Sequence, residues 1–437
     1  MNGIGPVTVF WFRRDLRLND NHGLYRALKD AGNVQPLFIF DTDILDKLED
    51  RNDRRLSYLH NRLGSLDDQL RSHGSSLLVK QGDPLSIFRS LVSDLPISAV
   101  YTNHDHEPYA LGRDRHIRDL LRENGIALHT FKDQTIFERD EVVKPDGNPY
   151  TVFTPFARRW KQRLGEEGIP SYPSEQLLGG MHHNSSHERI ALEDLGFRYA
   201  LYEAVEQTPS IDLLARYAAL RNTPSVEGTS RIGVHLRFGT VSIREMVRLA
   251  MQHSDTWLNE LIWREFFMQV LWHFPHVEKG AFRKAYDAIP WRDDEASFAA
   301  WCEGRTGYPL VDAGMRELRA TGFMHNRVRM VVASFLCKHL LIDWRWGEAW
   351  FARWLMDFEL ASNNGNWQWA AGTGCDAAPY FRVFNPALQL QRFDPQMGYV
   401  LKWAPEYGEL EQPKPIVEHK MARDRAITSY RSALAGV

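Results

Sequence analysis

The chain has 437 residues, 43% of them hydrophobic, which is more than one ordinary core needs and predicts two domains, or a large α/β unit with a second body. The formal net charge is −3, so whole-chain charge gives no case for nucleic acid and any such site has to be a local patch. Cys302, Cys337 and Cys375 share no metal-ligand or disulfide-framework spacing, which points to a reducing, cytoplasmic compartment. No apolar run has the length of a signal peptide or a membrane span.

The first third alternates between short β-rich runs and polar segments of helical spacing. The runs are VTVFWF (7–12), PLFIFD (36–41), SSLLVK (75–80), ISAVYTN (97–103) and IALHTF (126–131). Strands alternating with helices predict βαβ units and a doubly wound, Rossmann-like parallel sheet over residues 1–133. His104-Asp105-His106 ends the fourth run, where ligands approach open α/β sheets; a loop is the preferred reading there and a metal the other.

Residues 134–205 scatter Pro, Gly and His through PDGNP, GIPSYPS and GGMHHNSSH, and read as a connector with short helices. His182, His183 and His187 have no carboxylate or Cys at ligand spacing. Asn184-Ser185-Ser186 matches a glycosylation sequon, taken as chance in a cytoplasmic protein. From 206 to 437 the pattern turns helical, with apolar residues recurring at three and four in LNELIWREFFMQVLWHF and HNRVRMVVASFLCKHLLIDW. Twelve of the fourteen tryptophans lie between Trp257 and Trp403. Each buried indole N–H needs a partner, so core packing explains several of these rings and a flat, conjugated ligand is suspected for the rest.

Within the helical part, Gly228-Thr229-Ser230-Arg231 opens a helical pattern. A helix cap explains the hydroxyls; an anion held by backbone N–H groups is the other reading. Trp257, Glu260 and Trp263 are spaced to share a helix face, which puts a carboxylate among indoles, either ion-paired or aimed at a ligand. Asn326, Arg329 and Met330 share another face. The cations Arg316, Arg319, Arg327, Arg329, Lys338, Arg345 and Arg353 suit a solvated face or a basic rim around an aromatic pocket. In NNGNWQWA (363–370), buried amides beside two tryptophans demand partners. Gly372-Thr373-Gly374-Cys375-Asp376-Ala377 fits the loose dinucleotide fingerprint, but it follows a helical run rather than a strand and is set aside. No Walker A sequence and no nucleophile elbow are present.

Taken in order, FWFRRDLRLNDNHGL, EGTSRIGVHLRFG, NELIWREFF, GYPLVDAGMRELRATGFMHNRVRM and NNGNWQWAAGTGCDAAPYFRVFNP resemble the photolyase/cryptochrome family over almost the whole chain. The class I cyclobutane pyrimidine dimer photolyases of microbes are the most similar subfamily. The resemblance implies an α/β antenna domain, an all-α domain holding FAD, and light-driven repair of UV-damaged DNA by a monomer away from membranes. It implies flavin contacts at Tyr217, Thr229, Ser230, Arg231, Ile232, Gly233, Trp257, Arg329, Asp357, Glu359 and Asn363, with Asn363 facing the flavin N5 edge and Arg329 and Asp357 paired beside the ring. The family commonly has Ser at Gly233, so one hydroxyl contact is missing. Glu260, Asn326 and Met330 would face the dimer, Trp263 and Trp369 would flank it, and Arg221, Arg327, Arg382 and Gln389 would hold DNA. Trp367, Trp344 and Trp291 would carry electrons from the surface.

Within the family, the (6-4) photolyases carry a histidine pair where this chain has His325-Asn326, and the absence of a long low-complexity tail argues against a signalling cryptochrome. A blue-light photoreceptor and a (6-4) photolyase stay as alternatives. A second, antenna chromophore is left open between folate, deazaflavin and none, because Tyr109-Ala110 stands where folate-binding members have Asn-Glu, and of Glu278-Lys279 only the lysine agrees.

Overall fold

A computed structural model describes residues 5–184, 187–410 and 412–435; the sequon at 184–186 therefore extends outside the described residues. The chain forms two compact units. One is built from Met1–Glu138, Arg163–Thr208 and Ile232–Leu249, the other from Arg139–Gln162, Pro209–Arg231 and Ala250–Val437.

In the first unit, β1 (Val7–Phe12), β2 (Val34–Asp41), β3 (Leu78–Gly82), β4 (Ile97–Asn103) and β5 (Ala127–Phe131) pair in parallel in the order β3-β2-β1-β4-β5. Every residue of β1 and β2 is buried, as expected for a parallel sheet covered on both faces. The strand period of two divides their side chains. Phe10, Phe12, Phe38 and Phe40 join one apolar cluster and Val9, Trp11, Leu37 and Ile39 the other. The crossover helices His22–Asp30, Arg54–Ser72 and Pro84–Asp94 are capped by the side chains of Asn21, Asp53 and Asp83, which satisfy N–H groups left over at a helix start. The third strand starts three residues later than the apolar run predicts. Leu77 N donates to Asp67 Oδ1 (2.9 Å) and Ser76 Oγ to Asn184 Oδ1 (2.7 Å), so these residues close a turn instead of joining the ladder.

Two arginines are buried in this unit. Asp133 accepts from Arg17 and Arg244, each at 2.8 Å, and Arg244 Nε also donates to Asp20 Oδ2 at 2.8 Å. His104, which the sequence left open to a metal, is held by Glu138 Oε1 (2.7 Å) and Thr130 Oγ1 (2.9 Å). The connector contains a 15-residue helix, Phe153–Glu167, longer than the short helices expected there.

The second unit is helical. Its longest core helix, Asp255–His273, is capped by Ser254. The NNGNWQWA stretch lies on the helix Leu360–Ala371, and two glycines bring its neighbours close. A Cβ on Gly365 would lie 2.1 Å from the ring of Phe267, and one on Gly347, in the helix Trp344–Trp354, 2.1 Å from the ring of Trp367. Of the amides, Asn364 donates to Val277 O, and Gln368 donates to Val277 O and Gly280 O while accepting from Phe282 N. These two clamp the turn after the long helix. The Gly-Thr-Gly sequence that follows is a helix stop. Gly372 takes φ +83°, a conformation open to glycine, and the N–H groups of Thr373 and Gly374 both return to Gln368 O.

The cations between Arg316 and Arg353 do not form one basic rim. Lys338 is buried, donating to Ala371 O at 2.7 Å beneath the Tyr430 ring. Arg316 pairs with Glu406, Arg329 with Asp357, and Arg345 with Asp343 and Asp287. No helix among the described residues is long and apolar enough to cross a membrane.

Candidate functional site

The helix Asn326–Ser334 starts at His325, whose Nδ1 accepts from Arg327 N. Burial, reinforced by the charges of Arg327 and Arg329, pushes the His325 imidazole down to about 4, so a neutral ring caps the helix. The helical repeat then places Asn326, Arg329 and Met330 on one face. That face borders a pocket completed by Asp357, Glu359, Asn363, Trp367 and Trp369. Eight sequence-predicted residues thus converge on one cavity. Arg329 Nη2 reaches both Asp357 carboxylate oxygens, at 2.9 and 3.2 Å, and Arg264 holds Glu359 at 2.8 Å. Trp367 is buried while Trp369 is half-buried, and both border the cavity.

Asn363 donates from Nδ2 to the Glu348 carbonyl (3.0 Å) and to its Oε1 (3.2 Å). Burial lifts the Glu348 carboxyl to about 7, against the pull of that hydrogen bond and with a push from Glu278. The sequence reading passed over Glu348. Trp346-Gly347-Glu348-Ala349-Trp350 also sets a carboxylate between two indoles in sequence, but two residues from each, which on a helix is the opposite side from both rings. The indole Nε1 of Trp367 is buried and finds no partner among the described residues, an uncommon condition for a buried N–H.

A second, open cleft is lined by Arg221, Glu260, Trp263 and Phe153. Glu260 is ion-paired with Arg221, so the bland reading of this carboxylate, a salt bridge, describes what its side chain does here. Burial raises its proton affinity and the Arg221 charge only partly offsets this, leaving the carboxyl above its ordinary value. Trp257 does not share this face. Its ring is buried and its Nε1 donates to Ser230 Oγ (3.2 Å), because positions six apart on a helix diverge by a third of a turn. Trp263 and Trp369 border different pockets.

The cap reading of Thr229 and Ser230 does not hold. The next helix, Gly233–Phe238, starts after Ile232 without a side-chain cap, which leaves both hydroxyls on a segment outside any helix. Gly228 is required there, since a Cβ would lie 2.7 Å from that of Leu220. Arg231 adopts φ +50° and lies over the Phe323 ring. Ile232 and Gly233 belong to the sheet-containing unit. Tyr217 is buried beneath the Arg221 guanidinium. Arg327 donates to Asn222 Oδ1 at 2.6 Å and covers the Phe393 ring. Burial first, and then the charges of Arg221, Arg392 and Arg382, push its guanidinium down. The fold thus gathers a patch of like charge that includes Arg392, which the sequence reading did not select; Gln389 is on the same helix, Pro386–Phe393. Trp344 and Trp367 share one core cluster and Trp291 packs against it half-buried, but the ring neighbours of Trp367 are Trp301 (6.1 Å) and Phe351 (4.9 Å).

The helical unit thus holds an aromatic pocket with an amide and an ion pair, and a cleft with a cationic flank. The family description "DNA photolyase" matches residues 8–174 and "FAD binding domain of DNA photolyase" residues 257–413. A deoxyribodipyrimidine photo-lyase of Halobacterium salinarum is 36% identical, over 98% of this chain and 99% of its own length. The chain belongs to the DNA photolyase family. Among solved structures, a bacterial class III photolyase from Agrobacterium tumefaciens superposes with a TM-score of 0.87 at 34% identity, over 99% of this chain and 98% of its own. An archaeal photolyase from Sulfolobus tokodaii, solved with two FAD molecules, gives 0.83 at 33% identity, over 97% of this chain and 99% of its own. This family member is an enzyme with an FAD-binding domain, and the α/β plus helical architecture agrees with the family's. The pocket lined by Asn363 and Arg329 fits that cofactor chemically: aromatic walls for a flat ring, an amide and a guanidinium–carboxylate pair at its edge, and the Trp367 N–H, which has no partner among the described residues.

Proposed function

We propose that this photolyase splits cyclobutane pyrimidine dimers in DNA under blue light, with the repair site in the helical unit. The observation that carries the reading is the convergence of Asn326, Met330, Arg329, Asp357, Asn363 and Trp369 on one pocket. FAD, when bound, reduced and excited by light, would supply the electron that opens the cyclobutane ring and take it back once the two pyrimidines have separated. Asn363 engages its N–H with Glu348, so the group it offers a flavin edge is its carbonyl oxygen, an acceptor. The Arg329–Asp357 pair places fixed charge at the same pocket, and Tyr217, Thr229, Ser230, Arg231, Trp257 and Glu359 of the helical unit are assigned to holding the cofactor.

Asn326 and Met330 face the dimer, with Trp263 and Trp369 as its flanking rings. Glu260, ion-paired with Arg221 in this structure, would donate to a dimer carbonyl in the manner of an oxyanion hole once it takes up a proton, which its burial favours over an exposed carboxyl. A damaged base pair is cheap to unstack, which favours extrusion of the lesion into the site. Arg221, Arg327, Arg382, Arg392 and Gln389 hold the strand backbone; such contacts give affinity and salt dependence rather than sequence choice. Trp291, Trp344 and Trp367 form the route by which reducing electrons travel inward.

The sheet-containing unit is where an antenna would bind. Its Tyr109 hydroxyl is engaged by Asp41, at 2.8 Å, which gives no support to folate at that position. The deciding experiment gives the reduced protein an oligonucleotide with one thymine cyclobutane dimer, in blue light and in the dark. Loss of the dimer only in light is the expected result. Bound flavin with an untouched dimer would move the protein to (6-4) lesions or photoreception.

A further inference from the structure

Phe153 opens the helix Phe153–Glu167 and stands beside Trp263. The two rings are stacked face to face, with centroids 3.7 Å apart and planes 6° from parallel. That is closer and flatter than most aromatic pairs, and it is the separation at which a nucleobase would stack. One face of the indole is therefore already covered by protein.

Phe153 is anchored at its own position. Its N–H donates to Asp376 Oδ2 at 3.0 Å, and two residues earlier Thr151 O accepts from Cys375 Sγ at 2.9 Å. Its ring meets Phe266 edge-on at 5.9 Å, and Phe266 in turn meets Trp263 edge-on at 5.6 Å. Asp376 holds this anchor at φ +50°, a left-handed conformation that Asp tolerates better than most side chains. The plane of Trp263 is thus fixed by a ring on its face and a ring at its edge. Phe153, Trp263 and Glu260 border the same cleft.

We infer that Phe153 is a positioning residue for the lesion, acting through Trp263 by backing one indole face so that the extruded pyrimidine meets the other. This rests on the assignment of Trp263 as a dimer-flanking ring. With the plane fixed, a base against Trp263 has one orientation relative to Glu260. With the plane free, it has several, and binding of the lesion weakens while binding of undamaged backbone does not.

The test is a double-mutant cycle read by dark binding of dimer-containing and undamaged oligonucleotides to the FAD-loaded protein. Phe153→Leu keeps the apolar bulk but not the flat face, and should weaken dimer binding about tenfold, the size of a lost aromatic pair, with FAD content and undamaged-DNA binding unchanged. Phe153→Tyr should restore it. In a Trp263→Ala background Phe153→Leu should have no further effect, since the contact it acts through is gone. Weakened binding in Trp263→Ala but not in Phe153→Leu, or losses that add in full, would overturn the role of Phe153 alone. Unchanged binding in both single variants would overturn the assignment of Trp263, and this inference with it. If Phe153→Leu does not retain FAD, Phe153→Met, whose flexible chain fills the gap without a plane, is read against the same outcomes.

Discussion

Two buried polar systems in this protein are built on opposite plans. In the sheet-containing unit, Arg17 and Arg244 converge on Asp133, and Arg244 also reaches Asp20. Burial works against the Asp133 carboxylate, and the two guanidinium charges override it, so its proton affinity falls below the ordinary range. In the helical unit, the Glu348 carboxyl sits near 7 and receives one amide N–H from Asn363, which lines a cavity with Trp367, an indole whose N–H has no partner among the described residues. The first system closes on itself and holds a scaffold. The second leaves hydrogen-bonding capacity directed at a cavity, as a site for an organic ring requires.

Breaking the closed system should have the largest effect. Asp133→Ala leaves two buried arginines without their shared carboxylate, a loss expected to cost about 3–5 kcal/mol. Denaturant unfolding measures it, and a change below about 1 kcal/mol would show that water already reaches the network. Glu348→Gln probes the open system. A carboxyl with a folded value near 7 keeps its proton where the unfolded chain, near 4.5, has released it. The wild type should therefore lose stability as pH rises from about 4.5 to about 7, by about 3 kcal/mol at most, the 2.5-unit difference at 1.36 kcal/mol per unit. The amide variant should lack that slope; parallel pH profiles would mean the carboxyl is solvated.

Glu260→Ala sharpens the contrast at the cleft. Unlike Asp133, Glu260 has one cationic partner and a raised proton affinity, so its loss should leave the fold and FAD content intact and lower the repair yield about tenfold. A yield equal to wild type would remove it from the chemistry and leave the ion pair with Arg221 as its whole role.

How much of this was legible in the sequence follows the range of the interactions. The sheet was readable because strand periodicity is local, and so was the face of Asn326, Arg329 and Met330, which needs only the helical repeat. Glu348 was not, since its partner Asn363 comes from another helix and the approach depends on Gly347, where any Cβ would strike Trp367. Phe153 sits in a connector whose irregular composition hid its helix, and its stack on Trp263 is purely tertiary. The helix cap at Thr229 and Ser230 was a sound local expectation that the chain set aside by starting its helix after Ile232. Trp257 was misplaced because six residues is not a repeat of 3.6.

The smallest structural change tests the route proposed for electrons. Trp291 is half-buried against the core that holds Trp344 and Trp367, and its ring meets Tyr430 edge-on at 5.8 Å. Replacing it with Phe keeps an aromatic ring and most of the packing, so stability should change by less than about 1 kcal/mol. Photoreduction of oxidised flavin should slow, while repair by protein reduced beforehand should be unchanged, because the second reaction does not draw on the surface. Trp301→Phe is the necessary comparison, since Trp301 is the ring that Trp367 meets at 6.1 Å. It leads on through Phe298, at 5.8 Å, to Trp346 and Trp350. Slowing in Trp291→Phe alone supports the assigned route. Slowing in Trp301→Phe alone would move it to that second branch, and loss of repair in Trp291→Phe would show that this residue serves the site rather than the supply of electrons.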